Sequence, residues 1–184
     1  MRLTTGRGDS ALEPMKTKQT GFLFGLAFLL LLGACRSKES AITPLQRKEA
    51  DNIVKEALFA ITVRDYPRAQ GLMDKAVQMV PDAPDYRVTL GTTHFRQGKR
   101  EEAKAAYKAA LEAYENVAKK NDNDAQSRLQ QVYVLTLLGR VDEARAMLAK
   151  IASRYPADKD VRMFVDGKQI DQLLANPKFK EIAF

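Results

Sequence analysis

Downstream of residue 44 the chain shows no sustained alternation of apolar and polar positions and little clustering of β-branched residues, so no strand is predicted. Ala, Leu, Lys, Glu and Gln are plentiful there, and this mixture favours helices. The breaks between the segments predict helices near residues 44–63, 67–80, 84–97, 100–120, 124–138 and 141–154.

Local signals agree with these boundaries. The run Thr43-Pro44-Leu45-Gln46 is typical of a capped helix start, with Thr as the N-cap, Pro at the first helical position and Gln closing a capping box. Pro67 and Pro84 are expected to open helices in the same way. Gly98 and Gly139 are expected to end them.

A period runs through the helical part, because Ala69 and Ala103 are 34 residues apart. The unit over residues 84–117 shows the pattern best, with small residues where two helices approach closely and large ones between hairpins. Its pattern residues are Leu90-Gly91, Gly98, Glu101-Glu102-Ala103, Tyr107 and Ala110-Leu111. This unit resembles a tetratricopeptide repeat.

Two further units flank it, at residues 50–83 and 125–158. The first departs from the pattern at Glu56, where Leu is expected. The third follows at a spacing of 41 residues instead of 34, and the extra residues 118–124 are expected to lengthen the preceding helix. The resemblance implies an all-α, TPR-like superhelix of about three helical hairpins over residues 44–158.

A repeat stack leaves its last apolar face exposed unless another segment covers it. Ile170, Leu173 and Leu174 stand at helical spacing, and Asn176-Pro177 and an amphipathic turn follow. Similar repeat proteins end in segments of this kind. Residues 159–184 are therefore expected to form a C-terminal helical cap.

The resemblance also implies where a partner binds. In tetratricopeptide arrays the first helix of each hairpin lines a groove, here with a largely apolar row that suits an amphipathic helix or extended apolar segment. These groove residues are Val54, Leu58, Ile61, Val88, Thr92, Phe95, Leu129, Tyr133 and Thr136, with Leu137 adjoining. Alternatively, neighbouring helices or the protein's own tail bury the row.

The N-terminal region has the profile of an export signal. Residues 22–32 carry no charge and follow Lys16 and Lys18, and this stretch is shorter than the roughly 20 apolar residues of a membrane-spanning helix. Residues 1–34 are therefore expected to be a signal peptide, with Met15 as a possible true start. The run Leu32-Gly33-Ala34-Cys35 resembles the lipobox of bacterial lipoproteins.

That resemblance implies a diacylglyceryl group on the sulfur of Cys35 and, in many bacteria, a further acyl chain on its amino group. Residues 35–43 then become a flexible tether. Arg36 follows the cysteine instead of the Asp that resembles an inner-membrane retention signal, which favours the outer membrane, facing the periplasm. The alternative is an incidental cysteine that ends an ordinary signal peptide or lies in a buried helix.

The composition argues against several classes of site. The single cysteine rules out an intrachain disulfide. The net charge is +7, of which +5 lies after residue 34, where it is spread along helices without the basic patch and interleaved aromatics of a nucleic-acid interface. His94, the one histidine, occupies a repeat position that usually packs between helices. We expect no enzyme, no cofactor and no metal site, because no catalytic or metal-ligand constellation accompanies it.

The sequence therefore predicts a lipid-anchored cell-envelope scaffold or assembly factor that binds an envelope protein or peptide in its groove. The alternative function is a transporter-associated lipoprotein that binds a small hydrophobic ligand.

Overall fold

The computed structural model describes residues 41–184. The predicted signal peptide, Cys35 and most of the tether lie outside these residues. The described part is helical, and its helices are α1 (Pro44–Thr62), α2 (Tyr66–Met79), α3 (Pro84–Arg96), α4 (Arg100–Lys120), α5 (Ala125–Leu137), α6 (Val141–Arg154), α7 (Lys159–Asp166), α8 (Gln169–Ala175) and α9 (Pro177–Lys180).

The first six helices form three consecutive hairpins, α1–α2, α3–α4 and α5–α6, in which each hairpin packs on the next. The predicted all-α superhelix is confirmed, and within the described residues no strand occurs. The observed ends of these six helices differ from the predicted ones by one residue at most, and prolines or glycines mark several of them.

Helix caps set these ends. The Thr43 side chain accepts a hydrogen bond from the Gln46 amide at 3.2 Å, and the Gln46 side chain accepts one from the Thr43 amide at 2.8 Å. Gly98 and Gly139 follow helix ends with φ of +77° and +70°, a conformation that favours glycine. Asp124 adds a cap by accepting from the Ser127 amide at 2.8 Å.

Small residues let the two helices of a hairpin approach closely. Ala57, Ala69 and Ala76 are fully buried in the first hairpin. In the second hairpin Gly91 faces the ring of Tyr107, and a Cβ atom built on Gly91 would lie 2.5 Å from two ring carbons. Only glycine fits there without a shift of the tyrosine, which is itself fully buried.

The residues inserted before the third unit lengthen α4 to 21 residues and then form a short loop at 121–124. Arg128 stabilises this loop by donating to the Tyr155 hydroxyl at 2.9 Å and to the Ala118 carbonyl at 3.2 Å. The Tyr155 hydroxyl in turn donates to the carbonyl of Asp122. The insertion is thus fastened to the third hairpin.

The helices α7, α8 and α9 cover the end of the stack and pack against the third hairpin. Their buried residues Val161, Ile170 and Phe179 join the same hydrophobic core as Leu129 and Ile151. A cap therefore completes the core where the repeats stop. Among residues 41–184, no helix combines the length and the apolar character needed to cross a membrane.

We predict that Gly91→Ala destabilises the protein by about 1–3 kcal/mol, because the new methyl group overpacks against Tyr107. Gly71→Ala is the matched control: it lies in α2 with no heavy atom within 4 Å of the added Cβ. That variant should gain about 0.5–1 kcal/mol from helix propensity. Urea unfolding monitored by circular dichroism measures both, and equal effects at the two positions would contradict the close approach.

Candidate partner-binding groove

The predicted groove residues fall into three sets, one on each first helix of a hairpin, and the structure gives the sets different surroundings. In α1, Leu58 is 47% exposed, while Val54 and Ile61 are half-buried. These three residues are spaced at i, i+4 and i+7 and therefore share one helix face. This set is open to a partner.

The α3 set lies beside the protein's own C-terminal segment, residues 176–184, which we call the tail segment. The ring of Phe95 meets that of Phe184 edge to face, with centroids 5.2 Å apart and an interplanar angle of 87°. Thr92 approaches the Tyr107 hydroxyl at 3.3 Å, and Val88 packs against the core. Phe95 thus already has an aromatic partner within the chain.

The α5 set is more deeply covered. Leu129 and Thr136 are buried, and Leu137 is fully buried. The Thr136 hydroxyl donates to the Val132 carbonyl at 2.8 Å, so its polar group is satisfied within its own helix. The ring of Tyr133 lies 5.9 Å from that of Phe179 in the tail segment. Thus the tail also covers part of this set.

Two hydrogen bonds join the backbone of the tail segment to the second and third hairpins. The amide of Phe184 donates to the carbonyl of Leu137 at 2.9 Å, and the hydroxyl of Tyr107 donates to the carbonyl of Ile182 at 2.8 Å. Leu137 is the last residue of α5, where a carbonyl lacks an intrahelical donor. The tail therefore satisfies a polar group that the helix end leaves available.

Gly139 has a second role at this contact. A Cβ atom at this position would lie 3.0 Å from the carbonyl oxygen of Phe184, and its positive φ already favours glycine. The glycine at this position predicted the helix end, but nothing in the neighbouring sequence predicts that the tail approaches it. Any side chain here would press against the tail as well as strain the turn.

Two cations surround the ring of Phe184. The guanidinium of Arg100 lies 5.1 Å from its centroid and 4.6 Å from that of Phe95, and the ammonium of Lys104 lies 5.4 Å from the Phe184 ring. These distances are within the range of cation–π attraction. Sequence reasoning missed both residues. The available signal was their spacing, since Arg100, Lys104 and Tyr107 share one face of α4.

An open cavity of about 570 Å³ lies between α5 and the cap helices α7 and α8. Four of its lining residues are polar and four are apolar or aromatic: Gln126, Gln130, Asp160 and Gln169, with Leu129, Tyr133, Met163 and Phe164. Met163 is 60% exposed at its edge. Such a lining offers amide and carboxylate hydrogen bonds next to apolar contacts.

The one histidine of the chain lies inside the fold. His94 is buried, its Nδ1 has no hydrogen-bond partner, and burial lowers the pKa of its imidazole. Within residues 41–184 no cluster of His, Cys, Asp or Glu could hold a metal ion. His94 therefore packs as a core residue, at the repeat position where sequence reasoning expected packing.

Burial also raises the pKa of Tyr107 to about 12 and that of Tyr114 above its ordinary value of 10, with the Asp85 carboxylate raising the latter further. Both hydroxyls are therefore held as donors, Tyr107 to the tail and Tyr114 to Asp85. The phenol of Tyr107 thereby joins the second hairpin to the tail segment.

Comparison with known families identifies a repeat family. A family model described as "Tetratricopeptide repeat" matches residues 54–113 and 88–159, which together cover more than half of the chain. A search among curated proteins found no match to this sequence.

We predict that Tyr107→Phe lowers the free energy of unfolding by about 0.5–1.5 kcal/mol at pH 8, because the Ile182 carbonyl loses its donor. The raised pKa of Tyr107 means that its contribution is complete below pH 10 and is lost as pH rises from 10 to about 12. The unmodified protein should therefore lose more stability between pH 8 and 11 than the variant does. Urea titrations at both pH values measure this, and parallel losses would contradict it.

Proposed function

The chain belongs to the tetratricopeptide-repeat family, and we propose that it is a lipid-anchored cell-envelope scaffold or assembly factor that binds a protein partner. Repeats of this family generally bind other proteins and do not catalyse reactions, which suggests a protein-interaction scaffold. The observation that carries the proposal is the open α1 set, in which Leu58 is half exposed on the face that the family uses for partners.

The surfaces in and around the groove support a protein segment as the ligand. The open α1 set is apolar, and the neighbouring surface already accommodates a segment of polypeptide, the tail, through backbone hydrogen bonds and aromatic contacts. The 570 Å³ cavity has a half-polar lining, which suits a peptide better than a wholly hydrophobic small molecule. These features favour a scaffold over the ligand-binding alternative.

The sequence supports the membrane part of the proposal. The uncharged stretch at residues 22–32 and the lipobox-like run ending at Cys35 are typical of exported lipoproteins. Helix α1 begins at Pro44, so the tether between Cys35 and the first hairpin spans at most about 25–30 Å when extended. The lipid would then insert into the periplasmic side of the outer membrane, and the partner would bind in the periplasm close to the bilayer.

We predict that a clickable fatty acid fed to a bacterial host labels the unmodified chain and leaves Cys35→Ser unlabelled, because only the thiol can carry the diacylglyceryl group. Two or three acyl chains also give stable membrane attachment, so only the labelled form should sediment with membranes. An unlabelled chain in the soluble fraction would refute lipid anchoring. Secretion of an unlabelled, shortened chain would point to an ordinary signal peptide.

We predict that Leu58→Glu lowers the recovery of a cross-linked envelope partner about tenfold, because a charge replaces a buried apolar contact in the complex. Phe59→Glu is the matched control, since Phe59 is 63% exposed but is turned about 100° around the same helix. Quantitative mass spectrometry after cross-linking in membranes measures the recovery. Equal losses for the two variants, or no partner at all, would count against a groove-binding scaffold.

A further inference from the structure

We propose that the tail segment occupies the place of a partner segment, and that the surface beneath it recognises an aromatic-x-x-aliphatic-x-aromatic sequence. The aromatic, aliphatic and aromatic positions are those of Phe179, Ile182 and Phe184. A partner with this pattern displaces the tail and makes the same contacts. The inference rests on the proposed scaffold function and names the chemistry of its ligand.

Side chains of the second hairpin create the specificity for an aromatic residue at the last position. The Phe184 ring meets Phe95 and Tyr107 edge to face at centroid distances of 5.2 Å and 6.5 Å. Arg100 and Lys104 add their cations to the same ring. An aliphatic side chain would keep the apolar contact and lose the attraction between cations and the π-system.

The first aromatic position has its own contact. Phe179 is buried and meets Tyr133 at a centroid distance of 5.9 Å. Phe184 follows it by five positions, with Phe179 in the single turn of α9 and Phe184 in the chain after that turn. A ligand therefore needs both rings at this separation, which sets it apart from an unspecific apolar segment.

Backbone groups supply the remaining contacts and make the site suitable for a foreign chain. The Leu137 carbonyl accepts from the amide of Phe184, and the Tyr107 hydroxyl donates to the carbonyl of Ile182. Neither bond involves a tail side chain. Main-chain bonds of this type give affinity to any segment of the right conformation, and the side-chain contacts then select the sequence.

The tail can leave without uncovering the whole end of the stack. Residues 181–184 lie beyond the last helix, and Ile182 and Phe184 are only partly buried. Helices α7 and α8 contribute Val161 and Ile170 to the core independently of the tail, so the third hairpin keeps its cover. Such a segment is typical of those that open locally while the rest of a protein stays folded.

The tail segment competes with a partner for the same surface and thereby lowers the partner's apparent affinity. When only a fraction of molecules has a released tail, the apparent dissociation constant rises by the inverse of that fraction. The open α1 set, with Leu58 exposed, gives a partner a first contact that the tail does not cover. A partner that both contacts α1 and replaces the tail therefore binds better than one that only replaces the tail.

The test uses the full chain in detergent and a fluorescent peptide of residues 173–184 that carries a C-terminal amide. Fluorescence anisotropy should show binding to Phe184→Ala at least tenfold tighter than to the unmodified chain. A control peptide with both of its phenylalanines replaced by alanine should bind neither protein. Adding Arg100→Ala to the Phe184→Ala chain should weaken binding several-fold, because the ring loses a cation.

Hydrogen exchange provides a measurement that needs no variant. At saturating peptide, the tail amides of the unmodified chain should exchange faster, while those of α5 keep their protection. Unchanged tail exchange would overturn the proposal, as would a Phe184→Ala chain that unfolds cooperatively on heating yet binds no peptide. A concentration-dependent dimer of the unmodified chain that Phe184→Ala abolishes would also overturn it, by assigning the surface to a second copy.

This assay contains neither a membrane nor an envelope protein. If Cys35 proves unlabelled or no partner is cross-linked, the proposed envelope function fails while a positive peptide result still stands. If the peptide fails to bind while Leu58→Glu still abolishes cross-linking, the scaffold stands and the ligand pattern is wrong.

Discussion

The position of Tyr107 is the constraint on which the second hairpin and the tail segment both depend. Its ring is fully buried against Gly91, where a methyl group would not fit, and its hydroxyl donates to the Ile182 carbonyl at 2.8 Å. One side chain therefore sets the distance between α3 and α4 and also fixes the path of the tail. A change that moves this ring is expected to alter both the packing of the repeat and the occupancy of the groove.

Much of the fold could be predicted because its signals are local. Proline at a helix start and glycine after a helix end act through the backbone of a few residues, so Pro44, Pro84, Gly98 and Gly139 marked ends correctly. The helix order then followed from the period. Tyr107 and Ile182 are 75 positions apart in the sequence. A contact over such a separation produces no repeating pattern of residues, so a single sequence does not predict it.

The candidate groove was predictable only in part for the same reason. Repeat spacing assigned nine positions to one face of each first helix, with Leu137 adjoining, but it gave no information on which of them the tail covers. In the structure the side chain of Leu58 is exposed, whereas the rings of Phe95 and Tyr133 contact aromatic rings of the tail. Arg100 and Lys104 are charged residues that a sequence reading assigns to solvent, and their place around Phe184 depends on the tail's path.

The asymmetric ends of the repeat stack have a mechanical consequence. Within the described residues the third hairpin has a neighbour on one side and the cap on the other, whereas the first hairpin packs only on the second. Leu45 and Phe59 in its helix α1 are exposed, as is Val63 directly after that helix. In a quasi-one-dimensional array an end unit with one interface frays first. In the proposed lipid-anchored state, tension applied through Cys35 would therefore reach α1 before it reached the opposite end of the described stack.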